Sequence, residues 1–139
     1  MPILDQSLLD AYQATHYWVD TQPPVRLQID CQSLALVEHH KAYGVECSTW
    51  ITAYNPKSEC FSDEDNRLAH RGLTDALAKA RWSWVGAWSD DPKGQWPREN
   101  GVLVWGMDPD TAQMWGRRWH QHAVVCVNAT GWVKLVTVT

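Results

Sequence analysis

Apolar positions along this chain recur with two spacings, and the switches between them divide it into short elements. Leu8, Leu9 and Tyr12 fall on one face of a helix over 7–14. Residues 15–20 are aromatic and β-branched, and residues 25–30 alternate, with Val25, Leu27 and Ile29 on one side. Thr21-Gln22-Pro23-Pro24 separates them as a turn, which predicts a hairpin. A helix over 33–43 stops at Gly44, a suitable C′ glycine, and a strand over 47–54 follows. Ser62 then caps a helix whose first turn carries Asp63, Glu64 and Asp65, which complement the positive end of the helix dipole. That helix is expected to reach Ala80 and to bury Leu68, Leu73, Ala76, Leu77 and Ala80.

Strands follow over 82–88 and 102–105, with a polar loop over 89–100 and a tight-turn signal at Asp91-Pro92-Lys93-Gly94 between them. Asp108 as N-cap and Pro109 at the first helical position open a helix that ends near Trp119. Segments 123–127 and 132–138 make a final hairpin across Asn128-Ala129-Thr130-Gly131, and the polar end of the last strand suits a sheet edge. The order α, ββ, α, β, α, ββ, α, ββ implies an α/β or α+β fold. The expectation is a single mixed β-sheet with helices packed on it, a compact two- or three-layer sandwich, in one globular domain over 1–139.

Composition narrows the function classes. The net charge of −4 argues against a phosphate-backbone binder, so a nucleic-acid partner is not expected. Ten tryptophans stand against a single phenylalanine, which fits large core and interface residues better than a base-stacking platform. Cys31, Cys47, Cys60 and Cys126 form no Cys-x-x-Cys pair, so no metal centre or cofactor is expected and a reducing cytoplasm is the simplest setting. The chain begins without a basic, then apolar, leader and holds no apolar run of about 20 residues, so no membrane association is expected. There is no Gly-rich phosphate loop and no Gly-x-Ser-x-Gly elbow.

Several motifs in a fixed order carry a family resemblance. They are Ile51-Thr52-Ala53-Tyr54-Asn55-Pro56-Lys57-Ser58, Asp65-Asn66-Arg67, the run from Asp91 to Glu99, and the run from Gly116 to Val125. Together they resemble the bacterial domain of unknown function family 3293, over nearly the whole chain. The resemblance implies no catalytic residues. It does imply typical positions at Thr52, Asn55, Pro56, Ser58, Asn66, Arg67, Trp96, Pro97, Glu99 and Gln121. This chain departs from the pattern with Gly101 where Ser is usual, Asp65 for Glu, and His120 and His122 where Gly and Asn are commoner.

These positions define the candidate site, and each has a structural alternative. Asn55 and Ser58 follow a strand and either bind a ligand or tie their own turn. Asn66 and Arg67 sit at a helix start, which suits an anion, yet the neighbouring carboxylates oppose one and could pair with Arg67. Glu99, beside Trp96 and Pro97, would be partly desolvated and is the candidate general acid or base; otherwise it caps or bridges to an arginine. Arg118 and Gln121 lie where the last helix gives way to a strand. His120 and His122 would share a strand face if the strand began early, but lack a third metal ligand. The expectation is a cytoplasmic protein with a pocket for a small polar metabolite at strand ends. Its walls would be Asn55, Ser58, Asn66, Arg67, Glu99 and Gln121, with Trp96 as an apolar lid and Arg67 or Arg118 holding an anionic group. The alternative is a non-catalytic interaction or regulatory module, such as a homodimer.

Overall fold

A computed structural model describes residues 5–139. Four helices and seven strands alternate in the order α1 (Gln6–Ala14), β1 (His16–Val19), β2 (Val25–Leu27), α2 (Leu34–Tyr43), β3 (Ser48–Ile51), α3 (Asp63–Lys79), β4 (Trp84–Asp90), β5 (Glu99–Trp105), α4 (Pro109–Arg118), β6 (Ala123–Val127) and β7 (Val133–Thr137). A three-residue 3-10 helix, Pro56–Ser58, interrupts the passage from β3 to α3. The strands make one sheet in the order β2-β1-β4-β5-β3-β6-β7. Every pairing is antiparallel, so the expected mixing of strand directions is absent. The hairpin β1–β2 and the terminal hairpin β6–β7 follow the turn signals, and β7 lies at an edge as expected.

Both faces of the sheet are apolar, because the strands alternate two kinds of buried residue. Trp50, Leu103, Val125 and Val127 face a core shared with Leu36 of α2 and Tyr12 of α1. Ile51, Val102, Val104, Val124 and Cys126 face the other core, shared with Leu73 and Leu77 of α3 and Ala112 of α4. The result is a three-layer α+β sandwich with the sheet as its middle layer.

The helix ends obey local rules. Side chains of Asp5, Ser33, Ser62 and Asp108 accept N–H bonds from Leu8, Leu36, Asp65 and Thr111, each cap worth about 1 kcal/mol. Gly44 ends α2 in the left-handed conformation at φ 68°. The buried face of α3 differs from expectation. Leu68 is 59% exposed, Ala80 is exposed beyond the last turn, and Asn66 is buried at 4% exposure. Leu73 and Leu77 set the helical phase; Asn66, two turns before Leu73, shares it, whereas Leu68 lies about 140° away. In the sheet, β4 extends through Asp90 and β5 begins at Glu99, which places Glu99 on a strand end instead of in a loop.

Two backbone positions generate predictions. Gly101 abuts β3 so closely that an added Cβ would lie 2.7 Å from the Ile51 carbonyl oxygen and 3.2 Å from the Trp50 ring. Gly101→Ala is therefore expected to cost about 1–3 kcal/mol, read from urea denaturation midpoints. His120 follows α4 at φ 56°, a conformation that suits glycine. His120→Gly should raise stability by about 1 kcal/mol in the same assay, because the relieved strain exceeds the added unfolded-state freedom.

Candidate functional site

Three residues separate β3 from the left-handed residue Asn55 (φ 46°), and the 3-10 turn follows, whose last residue, Ser58 (φ 60°), is also left-handed. Asparagine tolerates this region, whereas Ser58 there stores strain of order 1–3 kcal/mol. What holds them is a side-chain network. Asn66 Oδ1 accepts the Asn55 backbone N–H at 2.8 Å, and Asn66 Nδ2 donates to Asn55 Oδ1 at 2.9 Å. Asn55 Oδ1 also accepts the Phe61 backbone N–H at 3.0 Å. With its oxygen taking two N–H donors, the Asn55 amide has one orientation, and its Nδ2 donates to Glu99 Oε2 at 2.7 Å. A helix, a loop and a strand end are thus tied together by two buried asparagines.

This network forms one wall of a cavity on the α1 face of the sheet. Its volume open to the centre of a water-sized sphere is about 80 Å³. Asn55, Ser58, Glu99 and Gln121 line it, together with Trp96 and Pro97 from the loop between β4 and β5. Tyr12 of α1 and Thr15 just after it supply the roof, and Tyr17, Trp50 and Tyr54 supply aromatic walls. Tyr12, read from sequence only as an apolar helix position, is thus part of the site. Its helix reaches the cavity through tertiary packing that periodicity alone does not reveal.

Burial raises the Glu99 carboxyl above its ordinary range, against the opposing hydrogen bond from Asn55. Burial likewise raises the Tyr12 phenol, with the Ser58 side chain working against the shift and the Glu99 charge adding to it. Asp91 behaves in the opposite way. The backbone N–H of Lys93, with those of Gln95 and Trp96, holds its carboxyl below the ordinary range. Those bonds of 2.9, 2.7 and 3.0 Å shape the loop that carries Trp96 to the cavity. Trp96 remains 41% exposed at the mouth, in keeping with an apolar flap. Gln121 is buried, and its Nε2 donates to the carbonyls of Tyr54 and Trp119 at 3.2 and 3.3 Å.

The structure gathers Asn55, Ser58, Trp96, Glu99 and Gln121 around one cavity, and Asn66 supports Asn55 from behind. Arg67 and Arg118 do not join them. Arg67 is exposed on α3, and Arg118 lies over the Trp115 and Trp119 rings at 5.3 and 5.7 Å. Neither arginine lines the cavity, so the expected anion-binding role is not supported by their placement. Nor does Glu99 bridge to an arginine; its side-chain partner is Asn55. Among the described residues, no group of three or more His, Cys, Asp or Glu side chains is placed to hold a metal ion. The arrangement instead offers a desolvated carboxylate, hydroxyls and amides within aromatic walls, a set suited to binding or proton transfer on a small molecule.

A family described as "Protein of unknown function (DUF3293)" matches residues 51–124, a little over half the chain and less than the near-complete resemblance expected. No curated protein and no solved structure is matched by the chain. The matched segment contains Asn55, Ser58, Asn66, Trp96, Glu99 and Gln121, while the roof from α1 lies outside it.

A carboxyl raised by burial favours the protonated fold, so its contribution to stability is full below the ordinary value of 4.5 and is lost as pH rises through the folded value. Glu99→Gln keeps an oxygen for Asn55 and removes the buried charge. Its melting temperature should therefore exceed that of the native protein at pH 7, with the gain shrinking as pH falls through the folded value toward 4.5. A constant difference across that range, measured by calorimetry, would contradict this account of Glu99.

Proposed function

The chain belongs to the DUF3293 family, and from that premise we propose that it binds a small polar molecule in the cavity between α1 and the ends of β3 and β5. The observation that carries this reading is Glu99, a partly buried carboxylate held by Asn55 at 2.7 Å and lining a cavity where, among the described side chains, none is basic. A desolvated charge without a counter-ion lowers stability, and such groups concentrate at functional sites. The strained, doubly fastened turn at Asn55 and Ser58 supports the same reading, since it presents its groups in one geometry before any ligand arrives. If the bound molecule is chemically changed, Glu99 is the group placed to give or take a proton.

The alternative of a module that pairs through an open sheet edge has less support. One edge strand, β2, has three residues and follows Pro23 and Pro24, and the other, β7, carries the exposed Lys134. Short strands, prolines and lysines all discourage edge pairing. Cys31, Cys60, Cys47 and Cys126 are free thiols, which supports a reducing, cytoplasmic setting. Among the described residues, no helix is long and apolar enough to cross a membrane.

A thermal-shift screen against a metabolite library tests the proposal. A ligand at a hundred times its dissociation constant adds about 2.7 kcal/mol, which moves the midpoint by several degrees. The expected result is a hit that disappears in Glu99→Ala or in Asn55→Asp, each shown to be folded by circular dichroism. A screen with no hit, or hits indifferent to both substitutions, would overturn the cavity as the binding site.

A further inference from the structure

We infer that the ligand this cavity accepts is a small organic cation, a primary ammonium group on a short apolar chain. The inference rests on the reading of the cavity as a binding site and adds the chemistry of its occupant.

Charge is the first argument. Among the described side chains, Glu99 and Asp91 line the cavity, and no Lys, Arg or His does. An anion entering would meet like charge with no compensation, whereas a cation would supply the counter-charge that Glu99 lacks.

Hydrogen-bonding capacity is the second argument. Gln121 Nε2 gives both hydrogens to the Tyr54 and Trp119 carbonyls, and Asn55 Nδ2 gives one of its two to Glu99. The Thr52 hydroxyl donates to the Asn100 carbonyl and accepts the Tyr54 N–H. Glu99 Oε1 and Gln121 Oε1 remain as acceptors, beside one Asn55 N–H, the Trp96 indole N–H, and the Tyr12, Tyr54, Ser58 and Ser89 hydroxyls, which can donate or accept. An ammonium group brings three donors and no acceptor, which complements the two oxygens and the hydroxyls.

The walls and the size agree. Tyr12, Tyr17, Trp50, Tyr54 and Trp96 surround the cavity, and aromatic faces attract organic cations. A space of about 80 Å³ holds only a few water-sized groups, which limits the enclosed part of the ligand to a short chain. A bare metal ion lacks the oxygen ligands it needs, since no group of three suitable side chains converges among the described residues.

The test uses three probes of matched size: butylammonium chloride, sodium propionate and propionamide. Each is titrated into the full-length protein at constant ionic strength while the Trp50 and Trp96 indole N–H resonances are followed. Butylammonium is expected to shift both resonances saturably, with propionate at least tenfold weaker. Glu99→Gln, checked for folding by its own spectrum, is expected to weaken butylammonium at least tenfold. Propionate or propionamide saturating these shifts at concentrations where butylammonium does not would overturn the cation inference and leave the binding-site reading standing. Butylammonium shifts unchanged in Glu99→Gln would also overturn it. If none of the probes moves either resonance, both readings fall.

Discussion

The polar end of the cavity depends on the side-chain amide of Asn55. Its oxygen fastens the loop through the Phe61 N–H and the helix through Asn66, and its nitrogen reaches Glu99 across 44 residues of sequence. The residue also sits in the left-handed region, where asparagine is among the few tolerated side chains. No other residue type meets all of these demands. Aspartate keeps the acceptors but sets a second charge beside Glu99, and alanine leaves a buried asparagine unpaired at about 1–3 kcal/mol. Position, conformation and hydrogen bonding thus converge on one amide.

Among the described residues, the arginines near the cavity turn their side chains elsewhere. Arg98 lies over Trp88 at 4.8 Å, and Arg118 lies over Trp115 and Trp119. Trp88 itself stacks on Trp18 across paired strands at 5.9 Å. The tryptophans therefore serve two purposes. Trp50 and Trp105 fill the core, and several others, half-buried, hold guanidinium groups against their faces outside the cavity. The family-typical Arg67 is likewise turned outward, which leaves the Glu99 carboxylate as the dominant charge of the interior wall.

Features set by neighbours in sequence were legible. Ser33, Ser62 and Asp108 announce their helices because a cap needs only its own first turn, and Gly44 announces an end for the same reason. The grouping of Asn55, Ser58, Glu99 and Gln121 was also legible, since polar residues at element ends have few structural uses that place them all in one region. What stayed hidden was long-range. Strand direction depends on which strands pair, and β3 takes partners from much later in the chain. Leu68 was expected inside because leucine usually is, but Leu73 and Leu77 set the helical phase and put Asn66 there instead. Tyr12 was legible as an apolar helix position and not as a cavity wall, because nothing local says where α1 docks.

The strand order carries a consequence for how the chain acquires its structure. β3 sits between β5 and β6, pairing Trp50 with Leu103 and Val125, and β1 finds its second partner only at β4. The middle of the sheet therefore cannot be assembled until the chain has been made through β6. Such non-local pairing closes large loops before contacts reward them, and it slows folding. A nascent chain stopped before β5 would leave Trp50 and Ile51 without their ladder, in a strand open on both sides. The same arrangement that encloses the cavity makes the protein a late and collective folder, dependent on its last third for the integrity of its first.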